Sequence, residues 1–334
     1  MPVIIPIFIV NEGCPHRCLY CCEETAAGPA PPAITEPYLR KTVLSALKKN
    51  RREPVQIAFY GGNFTGLGRE RQQQLLEMAG IFIREGLAES IRISTRPDYI
   101  FSEDLDFLGK FHVRTVEIGA QSLVDEVLGL SRRGHTAAQV RQAVYLLKKQ
   151  GFETGIHLMA GLPGDSPEGF AYSVEETIAL RPHLARVHPT LVFAGTELAS
   201  LWAQGNYRPL SMVEAIAAGK LALAKFAAAG IPVIRLGLQT TAEMEKPGRI
   251  AAGPYHPSFR SLVEEALFFD RAAALLSGGE VRGKEIVFSL SPRDISSFRG
   301  QNNSNIRSIK QRFGLKELTL AVDPRQSRGS LILI

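Results

Sequence analysis

The chain has 334 residues, of which 45% are hydrophobic and 22% charged. That balance excludes a disordered, collagenous or low-complexity protein and suits a soluble globular chain with a sizeable core. The formal net charge is +6, and its placement matters more than its size, as the C-terminal segment shows. In chain order, strands are predicted at Ile4–Val10, Val55–Tyr60, Ile91–Ser94, Val113–Ile118, Thr154–Met159 and Arg186–Val192. Helix-period segments lie between them, near Glu36–Lys49, Gly68–Glu85, Ser102–Lys110, Ala137–Gln150 and Pro167–Leu180. Thr136 caps one of these helices and Gly151 ends it, while Ser166 precedes Pro167 at the start of another. The first apolar run is short, interrupted by Pro2 and Pro6 and without a basic flank. It reads as a buried strand and not as a signal peptide or membrane span.

The βα rhythm repeats about six times, which implies a parallel sheet with right-handed crossovers. Periodicity alone leaves a doubly wound sheet and a barrel both open. After Val192 the pattern changes. Leu210–Ala229 reads as an Ala-rich helix, Ile231–Gln239 as a strand and Thr240–Gly253 as a polar loop. A helix at Ser258–Ser277, strands at Glu285–Leu290 and Leu318–Val322, and a helix near Asn303–Phe313 form a small α+β C-terminal region. The expected division is residues 1–240 and 241–334. Residues 281–334 carry ten Lys and Arg against Glu285, Asp294, Glu317 and Asp323, so the whole positive excess sits there. A localised basic region is the footprint of a polyanion binder, RNA among them; the alternative is a solvated surface with no partner.

Cys14, Cys18 and Cys21 are spaced C-x3-C-x2-C directly after the first strand. Thiolates are soft ligands suited to iron–sulfur clusters, which four of them usually hold; three leave one iron open to a small molecule. A zinc site would want a fourth ligand at regular spacing. The only further cysteine, Cys22, adjoins Cys21 and points elsewhere, and His16 is sterically awkward. A disulfide framework is disfavoured because all four cysteines fall within nine positions. Free thiols and an oxygen-sensitive cluster point to a reducing cytoplasm.

The cysteine run, with Tyr20 before its last member, resembles the radical S-adenosylmethionine (SAM) superfamily. The ordered set Phe59-Tyr60-Gly61-Gly62-Asn63-Phe64-Thr65-Gly66, Ser94-Thr95-Arg96-Pro97-Asp98-Tyr99-Ile100, Glu117-Ile118-Gly119-Ala120-Gln121-Ser122, Arg133-Gly134-His135-Thr136 and His157-Leu158-Met159-Ala160-Gly161-Leu162-Pro163-Gly164 resembles its Elongator-protein-3-like branch. Gly253-Pro254-Tyr255-His256-Pro257 looks like a further family feature, with Tyr255 and His256 on the substrate side. No Gly-rich acetyl-CoA loop follows the barrel. The resemblance therefore implies the radical SAM part without the acetyltransferase domain, and puts acetyl-CoA use in doubt.

The resemblance implies a partial (β/α)6 barrel whose motifs sit at the C-terminal strand ends, where such folds bind ligands. It implies Cys14, Cys18 and Cys21 as ligands of a [4Fe-4S] cluster and S-adenosyl-L-methionine beside it. Reductive cleavage would yield a 5′-deoxyadenosyl radical that abstracts hydrogen from a substrate. Tyr20 would lie against the adenine or pack at the barrel rim. Gly61 and Gly62 would receive the methionyl amino group, with Asn63 assisting. Arg96 would hold the SAM carboxylate, or else pair with Asp98 or Glu117. Gln121 would bond ribose or substrate, and Gly161 would shape the loop around adenine. His16 or Arg17 would help keep the thiolates deprotonated. His157 reads equally as core or catalytic, and His135 as a turn residue. Expected partners are an electron donor such as flavodoxin or ferredoxin and RNA through the basic region, with no membrane. Two alternatives stand: a small-molecule enzyme resembling coproporphyrinogen oxidase, against which Gly-Gly-Asn-Phe-Thr argues, and a non-catalytic metal-stabilised RNA-binding protein.

Overall fold

The computed structural model describes residues 2–15, 17–22, 33–48 and 54–334. The described residues divide into two compact units, Met1–Ala218 with Ala222–Tyr255, and Gly219–Leu221 with His256–Ile334. The chain thus passes from the first unit to the second after Tyr255, where the sequence reading divides it after residue 240.

The first unit is built from β1 (Val3–Phe8), α1 (Glu36–Leu47), β2 (Val55–Tyr60), α2 (Arg69–Arg84), β3 (Ser90–Thr95), α3 (Ser102–Lys110), β4 (Val113–Gln121), α4 (Asp125–Leu130), α5 (Ala137–Lys149), β5 (Glu153–Ala160), α6 (Pro167–Ala179), β6 (Leu184–Pro189), β7 (Val192–Phe193), α7 (Glu197–Ala203), α8 (Met212–Ala228), β8 (Val233–Leu236) and β9 (Ile250–Ala252). Seven strands form one parallel sheet in the order β1-β2-β3-β4-β5-β6-β8. It curls into a partial barrel with β1 and β8 as open edges. The expected six-stranded barrel therefore gains a seventh strand, β8, from the region read as lying outside the repeats. β7 and β9 form a separate antiparallel pair.

Local chemistry explains the elements. All six residues of β2 are buried, as a parallel strand covered on both faces requires. Thr136 and Gln139 form a reciprocal capping box at the start of α5, Ser211 and Glu214 do the same for α8, and Ser166 caps α6 with Pro167 in its first turn. Each such cap typically adds about 1 kcal/mol. The capped helices return the chain so that every strand enters the sheet in one direction.

The second unit holds α9 (Phe259–Leu276), β10 (Glu285–Leu290), α10 (Ile295–Arg299), α11 (Ser304–Phe313), β11 (Glu317–Val322) and β12 (Leu331–Leu333). Its sheet order is β11-β10-β12, parallel then antiparallel. Phe268, Phe288, Phe298 and Ile309 centre its core. Among the described residues, no helix is long and apolar enough to cross a membrane.

Candidate functional site

A cavity of about 1030 Å³ runs inside the barrel of the first unit. Cys14, Cys18, Tyr20, Cys21, Gly61, Gly62, Arg96 and Gln121 all line it. Their segments lie in four different βα connections, brought together because each follows the C-terminal end of its strand.

The cysteine loop is held by backbone bonds. Asn63 N donates to Glu12 O at 2.9 Å, Leu19 N to Ser131 O at 3.4 Å and Leu198 N to Leu19 O at 3.0 Å. Cys18 is buried, Cys21 intermediate and Cys14 exposed, and Cys21 Sγ donates to Asn11 Oδ1 at 3.7 Å. Among the described residues no three His, Cys, Asp or Glu side chains close on a single metal ion. A cluster takes its three thiolates on three separate irons, so the loop need not focus them on one point. His16 lies outside the described residues, and Arg17 does not line the cavity.

Gly61 adopts φ +84° and its carbonyl accepts from Asn11 N at 2.8 Å. A Cβ on Gly62 would stand 2.6 Å from both Ile9 O and Glu12 O. The glycine is therefore demanded by the cysteine loop packing against it, and not only by a ligand. Asn63 differs from expectation. It is fully buried and does not line the cavity. Its Nδ2 donates to Gly13 O at 2.9 Å, while its Oδ1 accepts from Thr95 Oγ1 at 2.6 Å and Arg96 N at 3.1 Å. It staples the loops after β1, β2 and β3 together.

Arg96 lines the cavity and forms a two-bond pair with Asp98, at 3.0 and 2.8 Å. Glu117, the other partner considered, pairs instead with Arg92 at 2.7 Å and Arg186 at 3.0 Å, and accepts from Tyr60 Oη at 2.7 Å. Gln121 follows a register shift at the end of β4 and adopts φ +68°. A bulge with a left-handed non-glycine residue costs energy and re-aims a side chain, a combination common at sites. Its Oε1 is buried with no hydrogen-bond partner among the described residues.

Tyr20 both lines the cavity and packs against Val127, Met159 and Leu162, with its buried hydroxyl beside Cys18 and Arg133. Gly161 is not part of the lining. Its carbonyl accepts from Tyr207 Oη at 2.6 Å, and its N–H donates to Asp165 Oδ2 at 3.0 Å. Cys22 packs against the Leu191, Phe193 and Met244 cluster, as does Tyr255. His135 takes a bond from Arg133 Nε at 3.4 Å; burial and that neighbour push its pKa down to about 3.

Sequence reasoning weighed His157 as core or catalytic and missed two other groups that line the same cavity, His188 and Arg133. His157 and His188 stand with ring centroids 4.4 Å apart. Burial, then His188 and Arg186, holds His157 well below the usual imidazole range. Burial, with Arg186 adding to it, lowers His188 to about 4. Both rings are therefore neutral at neutral pH, and His157 Nε2 is buried without a partner. The only signal for this pair was alternation on two neighbouring strands. Arg133, quoted only as part of a motif, donates to Cys18 Sγ at 3.1 Å.

Gln121 Oε1 and His157 Nε2, buried and without a hydrogen-bond partner among the described residues, together with three cysteines lining the same cavity, fit a polar cofactor beside an iron–sulfur centre. Comparison with known proteins agrees. The family profile described as "Radical SAM superfamily" matches residues 8–176, and "Radical_SAM C-terminal domain" matches residues 182–268. The tRNA uridine(34) acetyltransferase of Methanocaldococcus jannaschii is 27% identical over 253 residues, covering 64% of this chain and 47% of that protein. Human Elongator complex protein 3 is 35% identical over 136 residues, covering 38% of this chain and 24% of that protein. The structure of archaeal Elp3 from Methanocaldococcus infernus superposes with a TM-score of 0.61 at 23% identity, covering 79% of this chain and 62% of that one. The chain thus spans about half the length of the M. jannaschii relative, or less for the human one.

Proposed function

The chain belongs to the radical SAM superfamily, and from that premise we propose that it holds a [4Fe-4S] cluster on Cys14, Cys18 and Cys21, binds SAM beside it and acts on RNA. The carrying observation is the convergence of the three cysteines with Gly61, Arg96 and Gln121 on one cavity.

When bound, cluster and SAM supply reductive cleavage of the sulfonium and a carbon radical that takes hydrogen from a substrate. The chain's residues place and enclose that chemistry. Cys14, Cys18 and Cys21 would hold the cluster, and three thiolates would leave it able to take a small-molecule ligand. Backbone carbonyls at Gly61 and Gly62 would receive the amino group, and Arg96, fixed by Asp98, would hold the carboxylate. Gln121 Oε1 accepts from a ribose hydroxyl, which satisfies an otherwise orphaned buried acceptor. Tyr20 supplies an apolar wall. The neutral His157 and His188 rings offer hydrogen-bond acceptors on the β5–β6 wall, toward the substrate. A reducing compartment and a flavodoxin- or ferredoxin-type donor suit such a centre.

Two observations favour RNA. Arg282, Lys284, Arg293, Arg299 and Arg307 are exposed in the second unit and make no ion pair among the described residues. The relatives include proteins named for tRNA uridine(34). The test is anaerobic incubation with SAM, dithionite and total tRNA, read by filter retention across a salt series and by nucleoside mass spectrometry. Salt-dependent retention with one nucleoside changed in mass supports the reading. No retention and no mass change would remove RNA and leave a small-molecule radical SAM enzyme.

A further inference from the structure

Arg133 is a buried cation that makes no ion pair with a carboxylate among the described residues. It is 7% exposed and lies between α4 and α5. Nη1 donates to Cys18 Sγ at 3.1 Å, Nη2 to Gly119 O at 2.6 Å and Nε to His135 Nε2 at 3.4 Å. Asp98, the acid in its neighbourhood, is taken up by Arg96. His135 stays a neutral acceptor, because burial and Arg133 hold its pKa near 3. Burying an unpaired charge is strongly unfavourable, so such a group implies an anion that completes it.

The fork itself points at that anion. One of its N–H groups is already directed at the sulfur of the buried cysteine in the triad. Three thiolates on an iron–sulfur core make an anionic assembly, and one-electron reduction adds a further negative charge. A fixed guanidinium at hydrogen-bond distance therefore favours the reduced form over the oxidised one. Hydrogen bonds to cluster sulfurs and local charge are recognised levers on potential.

We propose that Arg133 is the built-in counter-ion of the iron–sulfur centre, its N–H···S bond to Cys18 raising the reduction potential of the cluster. The inference rests on Cys18 being a cluster ligand. Arg133 acts through Cys18 and is a positioning residue. Its geometry is supplied by Gly119 at the end of β4, where a Cβ would come within 3.4 Å of Nη2.

The test uses full-length wild type, Arg133→Gln and Arg133→Lys, reconstituted anaerobically and assayed for iron and sulfide. The cluster is titrated with dithionite under EPR without SAM, so that no other anion enters the cavity. Removing the guanidinium is expected to make one-electron reduction about tenfold less favourable, about 59 mV more negative. The lysine variant should fall between. A glutamine variant that titrates with wild type overturns the proposal. Wild type grown with 15N-arginine needs no substitution: the reduced cluster should show nitrogen hyperfine coupling, and its absence overturns the proposal as well. A chain that loads no cluster with all three cysteines intact would overturn the iron–sulfur reading itself. A loaded cluster with unmoved potential would overturn only the role of Arg133.

Discussion

Glu117 and Arg92 pair at 2.7 Å from neighbouring strands of the barrel, each side chain only 3% exposed. Arg186 binds the other carboxylate oxygen, Tyr60 donates to the first, and Gln56 Oε1 takes two more bonds from Arg92. This network crosses β2, β3, β4 and β6 and so ties the sheet that carries the site. Its value lies in completeness, because removing one member strands buried charge. Glu117→Gln should cost about 3–5 kcal/mol, read by urea denaturation of the full chain.

The same carboxylate sets an acid limit. Burial pushes its pKa up, and Arg186, Arg92 and Tyr60 outweigh that to leave it below the ordinary value. A depressed carboxyl binds fewer protons folded than unfolded. Its contribution is therefore full above about pH 4.3 and is lost as pH falls through the lower folded value. Glu117→Gln should flatten this acid limb of the stability profile.

Asp165 has the opposite sign. Burial raises its pKa to about 6, against the opposing N–H donations of Gly161 and Ser166. The folded state then holds an extra proton, so stability falls as pH rises from about 4 toward 6. Asp165→Asn should remove that slope. Thermal melts across pH 4 to 8 that keep the slope in the variant would contradict this assignment.

Gly62→Ala tests the cradle. The added Cβ would meet two backbone carbonyls at 2.6 Å, which cannot swing aside as a side chain can. The cysteine loop must shift. Iron loading and SAM binding should both drop, while the second unit, with a core of its own, stays folded. Unchanged loading would show that the loop is not held by this approach.

Cys22→Ser should still load a cluster, since Cys22, although it also lines the cavity, packs against Leu191, Phe193 and Met244. Cys18→Ser should lose most of its iron. Iron and sulfide assays after reconstitution separate the two.

The repeats were legible because β2 is a six-residue, largely apolar run and because α5 carries a capping box at one end and Gly151 just past the other. The cysteine loop was legible because its three cysteines lie within eight positions of one another. β8 was legible as a strand but not as a seventh member of the sheet, because at four residues it follows a long Ala-rich helix that breaks the rhythm. The short α4 and α7 are less than two full turns and leave little periodicity. The bond between Arg133 and Cys18 joins positions 115 apart, and the Glu117 network joins four strands. No spacing in one sequence announces either. Asn63 looked like a ligand contact because it adjoins Gly61 and Gly62, but its side chain turns away to hold neighbouring loops.

The most direct measurement is anaerobic reconstitution followed by dithionite and SAM, with 5′-deoxyadenosine quantified against a Cys18→Ala control. The account predicts a loaded cluster and 5′-deoxyadenosine from wild type alone. Wild-type protein that takes up no iron and sulfide, or that makes no more 5′-deoxyadenosine than the Cys18→Ala control even with tRNA present, would contradict it.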